Sequence, residues 1–148
     1  MIRPAAAVIL GYLTMAIVVM VAFAATYPIL GVDRLFAQGT YEAAGGWIAL
    51  SFMLGLFSAM AGGWVCARIA PGTPAPQWLA AIVIVLGALL AVPVVMSTDP
   101  ARGGVRPAGA SMSDAMNHAR QPTWVALLNP VVGAAGVLLG AGLRRKGA

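Results

Sequence analysis

GLFSAMAGGWVCARIAP, residues 55–71, decides the fold class. It carries a single charge, Arg68, it ends on Pro71, and nearly half of it is Gly, Ala or Ser. A segment this apolar reads as part of a membrane span. One that gives up this much side-chain bulk reads as a span shaped for close contact with another helix. On a wheel at about 100° per residue, Ser51, Gly55, Ser58, Ala59, Gly62, Gly63 and Cys66 collect on one side. Met53, Leu56, Phe57, Met60 and Trp64 collect on the other, with Phe52 the exception. Ser51, Gly55, Ala59 and Gly63 make a small-xxx-small ladder at period four. In lipid no hydrophobic force drives one helix onto another, so association relies on the close van der Waals contact that small residues permit. This span is therefore expected at the centre of a bundle, with its bulky side toward lipid or another protein.

The rest of the chain fits. Of 148 residues, 61% are hydrophobic and 9% charged, against roughly 25% charged in a soluble domain. Four apolar blocks, about 5–27, 46–66, 78–96 and 123–143, are each 19 to 23 residues long with no charge inside. A 20-residue helix covers about 30 Å, the thickness of the hydrocarbon core. Helices are the expected solution because lipid offers no partner to a free backbone group, and the blocks lack the alternation of barrel strands. The expected fold is all-α, an antiparallel bundle of four transmembrane helices forming one polytopic domain over 1–148. Its external loops are 28–45 and 97–122, and its immediate partner is the lipid bilayer. Tyr27-Pro28 closes the first span, and Arg68 with Pro71-Gly72 the second. Trp47, Trp64, Trp78 and Trp124 fall near span ends, where indoles prefer to sit.

Charge sets the expected orientation. Arg3, Arg68, Arg144, Arg145 and Lys146 fall on one side, and Arg34, Arg102, Arg106 and Arg120 on the other. The first set is tight against span ends, so the positive-inside rule places both termini in the cytoplasm of a bacterial inner membrane. The acids Asp33, Glu42, Asp99 and Asp114 all lie on the opposite side. Arg3 followed by a long apolar run and Ala22-Phe23-Ala24 has the outline of a signal peptide. An h-region is only about 7–15 residues, so an uncleaved span is expected. Within 28–45, Ile29, Leu30, Val32, Leu35 and Phe36 suggest a short interfacial helix. In SMSDAMNHARQP, residues 111–122, Ser111 is placed to cap a helical turn with Asp114 three residues on.

The last span repeats the small-residue device, with Gly133, Gly136, Gly140 and Gly142, and Ala7-xxx-Gly11 and Gly87-xxx-Ala91 echo it. These faces are expected to pack within the chain, with homo-oligomerisation or docking to a larger membrane complex as the alternative. Asn129-Pro130 is the polar point inside a span. Pro130 cannot donate to the helix ladder and should kink it. Asn129 must find a partner at that depth, either a neighbouring helix or a solute at a broken helix. Thr14 and Tyr12 are more ordinary, since their hydroxyls can bond their own helix or a neighbour.

Other chemistry is missing. No span holds an ionisable Asp, Glu, Lys, Arg or His, which proton-coupled transport usually requires. The basic residues are scattered rather than striped, so no nucleic-acid partner is expected. One cysteine, Cys66, permits no internal disulfide. One histidine, His118, excludes bis-histidine haem ligation within the chain, and with Met112 and Met116 it makes a poor metal set. Ser111, Ser113, Asp114 and His118 lie in one loop expected to be flexible, without the geometry of a triad. No catalytic residue, cofactor or metal is expected. Candidates for interfacial chemistry reduce to Asp99, Asp114, His118 and Arg120.

GGWVCARIAP (62–71) and QPTWVALLNP (121–130), before a Gly-rich last helix, resemble a loosely defined set of small bacterial membrane proteins with four spans. The resemblance implies an architecture, no activity and no functional residues. The expected function is non-enzymatic: a structural or accessory subunit packing through its small-residue faces. The alternative is a carrier or channel for a neutral or lipid-like solute, lined near Asn129.

Overall fold

The computed structural model describes residues 2–96 and 104–146, the side chains of 145 and 146 excepted. Asp99 and Arg102 lie outside the described residues. The helices are α1 (Ile2–Leu30), α2 (Val32–Leu35), α3 (Gly45–Ile69), α4 (Ala75–Met96), α5 (Met112–His118) and α6 (Thr123–Lys146). Of these, α1, α3, α4 and α6 are long and apolar enough to cross a membrane. They overrun the expected blocks by up to three residues at their ends, and one of these extensions passes through Pro28. Pro28 removes one N–H from the ladder, yet α1 stays helical to Leu30. It stops at Gly31, whose φ of 70° is a left-handed conformation that glycine adopts readily. The Gly31 N–H donates back to the Tyr27 carbonyl at 3.1 Å, closing the turn.

Packing follows the small residues. α3 lies against α1 and against α6, and α6 lies against α4. α1 and α4 meet more sparingly, as do α3 and α4, although only residues 70–74 separate the latter pair. The Gly62-Gly63 pair explains how α3 serves two neighbours. Consecutive residues stand about 100° apart around a helix, so the two glycines face different partners. A Cβ on Gly62 would stand 2.6 Å from the Gly11 carbonyl oxygen, and one on Gly63 would fall on the backbone of Val137. A Cβ on Gly136 would stand 2.7 Å from that of Ala59, and one on Gly140 would fall on the Met60 backbone. A Cβ on Gly133 would stand 3.0 Å from Val83, and one on Gly87 would stand 2.6 Å from the Pro130 ring. Residues late in α1 meet residues early in α3 (Tyr27 with Trp47), while Gly11 meets Gly62 and Cys66.

Two expected placements differ. Leu56 and Met60 were assigned to the outward side, but their backbones sit in the α3–α6 contact. A helix held between two others needs two close faces, and half a wheel is too narrow for both. Gly55, expected in the packing ladder, has nothing within 4 Å of where its Cβ would be. The buried apolar core, which includes Ala7, Ala59, Cys66, Leu79 and Val137, lies away from Gly55, toward the end bearing the 70–74 turn. Around the outside, large apolar side chains such as Ile9, Met20, Phe57 and Leu139 are exposed.

At the opposite end of α3, the connections 28–45 and 104–122 fold together into a cap. Leu35, Phe36, Tyr41 and Ala115 form its own small core. Backbone bonds tie the two segments: Ala43 N–H to Arg120 O and Arg120 N–H to Tyr41 O, both 2.9 Å, and Arg106 N–H to Gly39 O at 2.9 Å. The flexible loop expected around Asp114 and His118 is instead ordered by this shared apolar cluster. As the sequence suggests, Ser111 caps α5 by accepting from the Asp114 N–H at 3.1 Å.

Candidate functional site

Beyond the close-packed half, α1, α3, α4 and α6 line an open cavity of about 510 Å³. Gly55 opens it, because a larger residue there would project into empty space. The tight contact of Gly11 with Gly62, Cys66 and Leu79 belongs to the close-packed half and lines no part of the cavity. α1 contributes Tyr12, Met15, Val19, Phe23 and Tyr27, and α4 contributes Leu86, Leu90 and Val94. Leu86 and Leu90 line the cavity yet are 39% and 72% exposed. The cavity therefore opens sideways beside α4. A second hollow of about 310 Å³ continues it beneath the cap, sharing Tyr27, Trp47, Ser51, Val94 and Gln121. The wall near the cap is aromatic: Phe23, Tyr27 and Trp47 pack with ring centroids 5.3 to 5.8 Å apart.

The polar groups in this cavity divide into satisfied and free. Ser51 donates to the Ile48 carbonyl and Ser58 to the Leu54 carbonyl, each at 2.7 Å, so both hydroxyls are used by their own helix. Thr14, outside the cavity, does the same toward Leu10. Asn129, Tyr12 and Gln121 also line the cavity and make no side-chain hydrogen bond among the described residues; Tyr12 is half-buried, whereas Asn129 and Gln121 are exposed. Asn129 stands about 9 Å along α6 from its start, at 1.5 Å per residue. Next to it, Pro130 has no N–H to give the Ala126 carbonyl, and both residues line the cavity. No Asp, Glu, Lys, Arg, His or Cys is among its lining residues. The space suits a guest with an apolar body and a neutral hydrogen-bonding group.

Of the residues singled out for packing, Gly62, Gly63, Gly136 and Gly140 meet other helices at backbone distance, Gly133 meets the Val83 side chain, and Ala59 is fully buried. Ser51 and Gly55 line the cavity instead. Sequence reasoning ranked Tyr12 as ordinary and gave Gln121 no role. A lone tyrosine in a span carries no local mark of its neighbours, so only the gap opposite it reveals its free hydroxyl.

The interfacial candidates sit in the cap. The Tyr41 hydroxyl donates to Asp114 Oδ2 at 2.7 Å, and His118 Nδ1 lies 3.4 Å from Asp114 Oδ1. The hydrogen bond to Asp114 raises the Tyr41 pKa above that of an ordinary phenol, with burial and the Asp114 charge acting in the same direction and Arg106 against them. The Arg106 guanidinium pairs with Asp33 at 3.0 Å. Arg120 contributes backbone bonds to the cap and lines the hollow beneath it. Among the described residues no group of three or more His, Cys, Asp or Glu side chains could hold a metal ion. Asp114 is engaged with Tyr41 and His118 in tying the cap together, and the cavity receives none of these groups.

Comparison with protein-family models, curated proteins and solved structures finds no match to the chain. The likeness at residues 62–71 and 121–130 therefore assigns no family.

Proposed function

We propose that the chain is a non-enzymatic, multi-pass protein of the bacterial cytoplasmic membrane that binds and passes a neutral, lipid-like solute through its lateral cavity. The carrying observation is the uncharged, side-opening cavity with the exposed Asn129 at its wall. At about 510 Å³ it falls in the range of small-molecule sites, about 300–1,000 Å³. The Asn129 carboxamide, exposed at the cavity wall, is available to a guest that donates or accepts there. The apolar exterior supports insertion, since exposed apolar patches of this extent mark an interacting surface. The pairing of late α1 with early α3 supports an antiparallel arrangement. The basic residues at the 70–74 end support placing that end in the cytoplasm.

The accessory-subunit reading has less support. The small faces that would dock a partner at Gly62, Gly63, Gly136 and Gly140 are occupied by other helices of the same chain. The test is photolabelling in liposomes with a photoreactive monoacylglycerol. Label should map to the cavity walls on α1, α4 and α6. Asn129→Leu should reduce it several-fold, as should Gly55→Leu, which fills the cavity from a position with no neighbour within 4 Å. Equal labelling of all three proteins would rule the proposal out.

A further inference from the structure

The end of the molecule remote from the cap holds a second hollow with different chemistry. It measures about 250 Å³ and is lined by the 70–74 turn, by Ala67 and Pro76, and by Arg144 near the end of α6. The Nε of Arg144 is buried with no hydrogen-bond partner among the described residues. Among the described residues one other side-chain nitrogen is in this condition, Nε of Arg106. The comparison is instructive, because the Arg106 guanidinium has its charge answered by Asp33 at 3.0 Å. Among the described residues Arg144 has no such answer. The acids of the chain are Asp33, Glu42, Asp99 and Asp114, and none belongs to α6 or to the 70–74 turn.

Arg144 as a whole is half-buried, and the rest of its guanidinium fork stays available to a ligand, but an N–H withdrawn from solvent without an acceptor still costs stability. Thr73 does not relieve it, because its hydroxyl is used locally, donating to the Ala70 carbonyl at 2.8 Å and accepting from the Ala75 N–H at 3.4 Å. What fits is an anionic oxygen from outside the chain. Guanidinium presents its donors as a planar fork matched to phosphate oxygens. We propose that the hollow at Arg144 is a binding site for a phosphate group, held by the Arg144 fork against the 70–74 turn. The site is separate from the uncharged cavity and does not depend on what that cavity carries. Two sources share this chemistry, a phospholipid headgroup and free phosphate.

The test uses the full chain in mild detergent, with phosphatidylglycerol as the probe and native mass spectrometry as the readout. Wild type should retain the lipid. Arg144→Gln should lower its retention at least about tenfold, the scale of losing charge-assisted hydrogen bonds. Arg68→Gln should leave it unchanged, because Arg68 lies over the Trp64 ring rather than in the hollow. Displacement by excess inorganic phosphate would support the site with free phosphate as its ligand. Resistance to displacement would support it with the lipid headgroup as its ligand. Equal retention by wild type, Arg144→Gln and Arg68→Gln would overturn the proposal. Should Arg144→Gln fail to assemble, the Nε–H resonance of Arg144 in the wild-type protein decides. It should shift on titration with phosphatidylglycerol, and an unmoved resonance would overturn the site.

Discussion

Tyr41 shows how one side chain can hold two distant connections together. Its ring is buried in the cap core, its hydroxyl reaches Asp114, and its ring lies 5.1 Å from that of His118. Because the folded protein raises the Tyr41 pKa, the folded state holds the phenolic proton more tightly than the unfolded chain. The resulting stabilisation is complete below the ordinary phenol pKa of about 10 and is lost as pH rises through the higher folded value. Alkaline pH should therefore open the cap before it affects the helices. Limited proteolysis across that range should show cleavage in 28–45 and 104–122 appearing above about pH 10. Tyr41→Phe should cut at neutral pH already and lose the alkaline step. A wild-type cleavage rate that is flat with pH would exclude this role.

Among the helices, the contrast between glycines is the informative one. Gly63 and Gly55 belong to the same period-four ladder, yet one abuts the Val137 backbone and the other abuts nothing. Gly63→Ala forces α3 and α6 apart and should cost about 1–3 kcal/mol, the usual range for overpacking. Gly55→Ala meets no obstacle and should be neutral or stabilise by up to about 1 kcal/mol through helix propensity. Thermal unfolding in one detergent, with the two variants side by side, measures both. A larger loss at Gly55 than at Gly63 would contradict the packing described. This pair also marks the limit of what the sequence makes legible. Block length and apolarity gave the four long helices, and Ser111 with Asp114 gave the α5 cap, because those signals are local. The wheel grouped the small residues but could not say which neighbour each would meet. That depends on how α1, α4 and α6 are arranged around α3. The cavity was illegible for the same reason: a glycine without a neighbour looks, in sequence, like a glycine with one. The pairing of the two connections escaped because its contacts join residues about 70 positions apart, such as Tyr41 and Asp114.

The four long helices pack into a molecule with unlike halves. Backbone-close contacts at Gly11, Gly62, Gly63 and Gly140 seal the half that bears the 70–74 turn, while the half beneath the cap is hollow. If the chain lies in the membrane as proposed, the sealed half faces the cytoplasm and the cap faces outward. Cys66, the single cysteine, is fully buried within the sealed half. It should be silent toward thiol reagents, so the wild-type chain already serves as the unlabelled background. Gln38, in the cap, and Gln77, at the start of α4, are both exposed. In intact bacterial cells stripped of their outer membrane, a membrane-impermeant maleimide should label Gln38→Cys at once. Gln77→Cys should be labelled only after the membrane is permeabilised. Labelling of Gln77→Cys alone in intact cells would invert the proposed orientation and move the cavity mouth toward the other leaflet. Immediate labelling of both would mean that the bundle does not separate two compartments, and the membrane reading itself would fall.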